Sequence, residues 1–97
     1  MAVLVTADVP GQTEEGLARM MNVLEPLLRR AKGFIAVGHG VEGDTGCRCF
    51  EVWETQEDAT RFFAEFIHPN LPPGITPKRT YLNLCSLVTA ETWVNQT

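Results

Sequence analysis

The sequence predicts an α+β domain of ferredoxin-like β-α-β-β-α-β order with a four-stranded antiparallel sheet. Three observations carry that reading. Residues 47–73 switch period midway, from β alternation to helical spacing, with Thr55 and Asp58 as a capping pair at the switch. A second helical pattern lies upstream, with Leu17, Met20, Met21, Leu24, Leu28 and Ala31 at three- and four-residue spacing. Short runs rich in β-branched and aromatic residues flank both helical patterns.

The first strand is read at Ala2–Ala7 and ends at Pro10-Gly11. Thr13 is the N-cap of the first helix, with Glu14 and Glu15 favourably placed in its first turn. Gly16 weakens that start by roughly 0.5–1 kcal/mol relative to Ala. Pro26 leaves the Asn22 carbonyl without its helical partner, at a cost on the order of 3 kcal/mol. A kink with Pro26 on the solvent side is expected, and two helices split at Glu25 is the alternative. Gly33 closes the helix.

Strand two is Phe34–Val41, where Gly38 and Gly40 mark a bulge or the close approach of another backbone. Glu42-Gly-Asp-Thr-Gly makes a hairpin turn to strand three, Cys47–Glu54. The second helix follows Thr55 and presents Ala59, Phe62, Phe63 and Phe66 on one face, and Pro69, Pro72 and Pro73 stop it. Leu71–Thr80 is read as a loop and Tyr81–Val88 as strand four. Residues 1–90 form one domain. Residues 91–97 form a C-terminal tail, whose Trp93 and Val94 are expected to pack on something, such as a second subunit.

Right-handed crossovers put both helices on one face of a sheet of order 4-1-3-2. Val3, Val5, Phe50, Val52, Leu82 and Leu84 are assigned to the helix-facing side. The opposite face then holds Leu4, Thr6, Asp8, Ile35, Val37, His39, the three cysteines, Glu51, Trp53, Tyr81, Asn83 and Leu87. That mixture is too apolar for water and too polar for a dry core, which suits a lined pocket or two sheets packed face to face.

Composition narrows the function classes. Net charge is −4, and the eight Lys and Arg residues are scattered apart from Arg29, Arg30 and Lys32 at a helix end, so no nucleic-acid partner is expected. No apolar run approaches the ~18–20 residues that span a bilayer, so no membrane partner is expected. The first residues lack the basic region and cleavage site of a signal peptide, and three cysteines suit reduced thiols better than a disulfide framework. The expected compartment is therefore the cytoplasm.

Ala2-Val-Leu-Val-Thr-Ala-Asp-Val-Pro-Gly, Gly33-Phe-Ile, Phe50-Glu-Val-Trp-Glu-Thr-Gln-Glu-Asp-Ala and Phe66-Ile-His-Pro-Asn-Leu-Pro resemble the dimeric α/β-barrel superfamily. More closely, they resemble its antibiotic-biosynthesis monooxygenase-like branch, over about residues 2–90. The resemblance implies a homodimer whose two open sheets close into a barrel, with a pocket between each sheet and its helices or loops. It implies a hydrophobic aromatic or polyketide-type ligand. Members of the superfamily include cofactor-independent monooxygenases, haem-degrading enzymes, polyketide cyclases and isomerases. A cofactor-independent monooxygenase is the leading expectation. A cyclase or isomerase without oxygen chemistry, and a non-catalytic binding or dimerisation module, are the alternatives.

The candidate catalytic residues are His39, His68 and Glu51. A neutral imidazole accepts a proton at pH 7, which is general-base work, and a carboxylate on an inner face needs a partner or becomes a base itself. His39 is otherwise a hydrogen-bonded histidine on the sheet, and Glu51 otherwise an ion-pair partner of Arg48 or Arg79. His68 lies in a His-Pro segment similar to that of olivetolic-acid-type cyclases, whose catalytic histidine falls where this chain has Leu71. His68 otherwise caps its helix. Thr6, Trp53, Phe63, Tyr81 and Asn83 are the candidate substrate-binding residues: Trp53 and Tyr81 by stacking, and Thr6, Tyr81 and Asn83 by holding an oxyanion. The haem-degrading branch uses an Asn, a Trp and a His where this chain offers Asp8, Phe62 or Phe63, and no aligned His. Cys47, Cys49 and Cys85 lack a fourth ligand, and no nucleotide motif occurs, so neither a metal nor a cofactor is expected.

Overall fold

A computed structural model describes residues 1–41, 43 and 46–90. The elements are β1 (Val3–Pro10), α1 (Glu14–Arg29), β2 (Phe34–Val41), β3 (Gly46–Trp53), α2 (Gln56–Phe62), a π-helical turn (Phe63–Ile67), α3 (His68–Asn70) and β4 (Lys78–Asn83). The four strands form one sheet of order β2-β3-β1-β4, antiparallel at every pairing, as expected. Trp93 and Val94, and with them the expected packing of the tail, lie outside the described residues.

Both helix starts are set by threonine side chains. Thr13 Oγ1 accepts the Gly16 N–H at 3.0 Å and Thr55 Oγ1 accepts the Asp58 N–H at 3.1 Å, each relieving one orphan donor. Asp58 is buried and pairs with Arg61 at 3.2 Å. Helix α1 is continuous through Pro26, which is exposed. The second helical segment runs through Pro69 to Asn70, one residue further than expected. It ends at Leu71, which is extended at φ −71°, ψ 136°, as a residue preceding a proline must be.

The register corrects the expected facing of three strands. Val3 lies opposite both Trp53 and Asn83, and Val5 opposite both Glu51 and Tyr81. Directly opposed residues share a face, so Cys47, Cys49, Glu51, Trp53, Arg79, Tyr81 and Asn83 look toward the helices with Val3 and Val5. Val37 and His39 join them through their pairing with Glu51 and Cys49. Phe50, Val52 and Leu82 lie on the open face with Leu4, Thr6 and Asp8. Both parities of β3 carry large apolar residues, so alternation alone does not choose between them.

The bulge in β2 falls between Phe34 and Ala36, not at its glycines. Gly38 instead lies under the Phe50 ring: a Cβ there would stand 2.2 Å from Phe50 Cε2. Strand four begins at Lys78, inside the expected loop, and ends at Asn83, short of the expected Val88.

The main core joins Val3, Val5, Leu24, Leu28, Ala59 and Phe62 around Trp53, which is fully buried. Trp53 has Phe34 and Phe62 each 5.4 Å away by ring centroid, and Phe62 continues the stack to Phe66. Such contacts add to an already large burial term. A smaller cluster of Ala7, Val9 and Cys47 lies toward the other end of β1.

Candidate functional site

Across the helix-facing side of the sheet, one row of residues runs His39–Cys49–Ala7–Arg79 from β2 to β4. Strand spacing puts its ends roughly 14 Å apart. The row is large at both ends and small in the middle. The two small side chains leave a cavity of about 60 Å³ between sheet and helices. Met20, Met21 and Leu24 of α1 line it, with Phe63 and Ile67 of the π turn and Leu71 and Pro77 beyond. It has room for more than one water molecule, and its walls are mostly apolar.

The π turn matters to this wall. The His68 N–H donates to the Phe63 carbonyl, five residues back, so the chain gains one residue over an α-helical turn. Phe63 and Ile67, its first and last residues, both reach the cavity.

The polar part of the site centres on a buried ion pair. Arg79 Nη1 donates to Glu51 Oε2 at 2.9 Å, with side chains only 8% and 6% exposed. Trp53 Nε1 donates to Glu51 Oε1 at 2.8 Å and Arg79 Nη2 approaches the same oxygen at 3.5 Å. Both carboxylate oxygens are therefore engaged. The guanidinium carbon stands 4.3 Å from the Phe63 ring centroid and 5.8 Å from that of Tyr81, geometry in which a cation is attracted by the ring face. Burial pulls the Arg79 pKa down, but hydrogen bonding and charge from Glu51, helped by Tyr81, outweigh it and hold it above its ordinary value. Arg79 Nε has no partner among the described residues.

At the far end of the row, His39 is exposed on the edge strand β2 but still partly desolvated, which lowers its pKa, and the charge of Glu51 only partly opposes that. Burial, reinforced by Glu51 and Cys47, pushes the Cys49 thiol up to about 12, and burial raises Cys47 as well. Neither thiol is thereby activated as a nucleophile.

Of the residues singled out in the sequence, His39, Glu51 and Phe63 line the cavity together. Tyr81 is beside it through Arg79. Trp53 is in the core with its N–H spent on Glu51. Thr6 lies on the open face, its hydroxyl bonded to that of Thr80. Asn83 is exposed opposite Val3, at the far end of β4. His68 is exposed, its ring 6.1 Å from that of Phe63, and it does not line the cavity. Glu51 takes Arg79, one of the two partners expected for it. Two residues with nitrogen donors that line the cavity were not singled out as site residues, Arg79 and Gln12. The alternation of Lys78, Arg79 and Thr80 is a strand signal hidden by the buried member being an arginine. Among the described residues, no group of three His, Cys, Asp or Glu side chains could hold a metal ion.

A broad hollow of about 560 Å³ lies on the other side of the sheet, bordered by Thr6, Asp8, Gly38, Gly40, Arg48 and Phe50. Asp8 and Arg48 pair across strands there at 3.5 Å.

No family model matches the chain, and no curated protein matches it significantly. Solved structures do match. SnoaB, a cofactor-independent oxygenase from Streptomyces nogalater, superposes with a TM-score of 0.67 at 14% identity, over 92% of this chain and 97% of its own. The monooxygenase ActVA-Orf6 of Streptomyces coelicolor, solved with nanaomycin D, gives 0.58 at 16% identity, over 93% and 92%. A point mutant of MhuD, with two manganese protoporphyrin IX groups bound per active site, gives 0.63 at 15% identity, over 93% and 100%. At these identities the likeness is one of fold.

Proposed function

From the premise that the chain has the fold of the antibiotic-biosynthesis monooxygenase-like branch of the dimeric α/β barrels, we propose that it is a small homodimeric monooxygenase. It acts without a cofactor on a hydrophobic aromatic or polyketide-type molecule. The observation that carries this reading is the row His39–Cys49–Ala7–Arg79: a base at one end, a fixed cation at the other and an apolar cavity between them.

The chemistry follows from those parts. His39, kept neutral by its lowered pKa, takes a proton from an acidic C–H or O–H of a bound anthrone-type molecule. The charge left on the substrate oxygen is met by Arg79, already oriented by Glu51 and Phe63. The substrate anion passes electrons to O2. A CH2 becomes C=O, one oxygen atom enters the product and the other leaves as water. In this reading Glu51 orients Arg79, since both its oxygens are occupied. Tyr81 and Phe63 flank the cation. A polycyclic molecule exceeds the 60 Å³ cavity, so Met20 and Met21, unbranched and adaptable, must shift to admit it.

The homodimer is supported by the open sheet face, where Phe50 is 44% and Leu82 59% exposed. Large apolar side chains of this kind on an uncovered sheet mark an interaction surface. Three free cysteines suit a reducing compartment such as the cytoplasm.

Oxygen uptake with 9(10H)-anthrone tests the reading. Wild-type protein consumes oxygen; His39→Ala loses about 10²-fold or more of the rate, and His68→Ala keeps it. Full activity in His39→Ala would sink the mechanism. Turnover of a polyketide without oxygen uptake would favour a cyclase or isomerase instead.

A further inference from the structure

The cavity holds a further polar group that the chemistry above does not use. Gln12, between β1 and α1, is 6% exposed and lines the cavity. Its Oε1 accepts the Thr13 N–H at 3.0 Å, which fixes which way the amide points. Its Nε2 has one hydrogen-bond partner among the described residues, the Met20 sulfur at 3.5 Å. A thioether is a weak acceptor, and an amide nitrogen carries two protons.

The helix is shaped around this side chain. A Cβ on Gly16 would lie 2.4 Å from Gln12 Oε1. A glycine in the first turn of α1 costs helix stability, and here it makes the space in which the Gln12 amide is buried. Across the same cavity Arg79 Nε is also a donor without a partner among the described residues, on a side chain 8% exposed. The Glu51 oxygens are engaged by Trp53 and Arg79. Apart from the His39 imidazole, what the cavity offers a ligand is therefore apolar wall and under-used N–H donors.

We infer that Gln12 is a ligand-binding residue whose amide N–H holds a carbonyl or other acceptor oxygen of the ligand, while Arg79 Nε meets a second one. The cavity thus selects oxygenated aromatic molecules over hydrocarbons of the same outline. This rests on the reading of the cavity as the ligand site. Buried donors left unpaired are what reject a ligand that lacks the matching acceptor.

The test uses the full chain and a matched pair of probes, 9-fluorenone and fluorene, which differ by one carbonyl oxygen. Wild-type protein binds fluorenone more tightly, by roughly five- to tenfold, the size of one hydrogen bond. Gln12→Leu removes that preference by weakening fluorenone and sparing fluorene, and its melting temperature is recorded alongside. Gly16→Ala, which crowds the amide without removing it, also lowers the preference, and in a Gln12→Leu background it has no effect on it. A Gln12→Leu variant that weakens both probes equally assigns Gln12 a structural role and overturns the inference. So does a wild-type protein that binds both probes equally. Wild-type protein that binds neither probe overturns the ligand site itself, and this inference with it.

Discussion

His39 and Arg79 make opposite demands on their surroundings, and each sets a prediction. Because partial desolvation lowers the pKa of the exposed His39, the unfolded chain takes up this proton at slightly higher pH than the folded one. The neutral imidazole therefore contributes stability above the ordinary histidine pKa of about 6.5, and that contribution is lost as pH falls through the lower, folded value. The acid limb of kcat/KM, measured between pH 4.5 and 8, is expected to have its midpoint below that ordinary value and to disappear in His39→Ala. Arg79 is held by a buried partner, so Arg79→Met strands the Glu51 carboxylate. Denaturant unfolding is expected to show a loss of about 3–5 kcal/mol. The double replacement of Glu51 and Arg79 by Leu should lose less than Arg79→Met alone, since no unpaired charge remains. Arg79 was read only as one of two partners open to Glu51, and its place in a strand was missed because a charge between Lys78 and Thr80 looks like loop composition. Nothing local shows that a glutamate two strands away, paired through β1, will bury it.

At the level of elements, the caps and periods were plainly legible. Thr13 and Thr55 begin their helices as read, and Phe34–Val41 is β2 at the expected bounds. Facing was not legible, because Phe50 and Val52 compete with Cys49 and Trp53 for the core and only cross-strand register decides. The π turn was not legible either: Phe62, Phe63 and Phe66 keep helical spacing whether or not a residue is added. The glycines test the packing of elements against one another. Gly33 has φ +82°, and a Cβ there would lie 2.2 Å from Asp58 Oδ2. Gly33→Ala combines left-handed strain with that clash and is expected to destabilise by about 1–3 kcal/mol in urea unfolding. Gly38 has no such strain, only the Phe50 ring above it. Gly38→Ala should therefore be largely rescued by Phe50→Ala in a double-mutant cycle, with a coupling of about 0.5–3 kcal/mol.

For the whole molecule, the β-α-β-β-α-β order and the β2-β3-β1-β4 sheet followed from the sequence because short strands and long helical patterns alternate unambiguously. What lies on each side of that sheet needed the register. Placing an aspartate at both Phe50 and Leu82, side chains already half out in solvent, is expected to leave the monomer folded by circular dichroism. It should convert the proposed dimer to monomer in sedimentation, and an unchanged sedimentation coefficient would count against that interface. The sheet is also a wall one residue thick. Thr6 and Ala7, Cys49 and Phe50, and Arg79 and Thr80 are chain neighbours that serve opposite surfaces. The cavity and the outer face are therefore written in alternate letters of the same strands and share one reading frame. Losing a single residue within β3 would turn Phe50 inward onto the cavity floor and Cys49 outward, damaging both surfaces at once. A change of one residue in strand length therefore reaches both surfaces together, where a substitution reaches one.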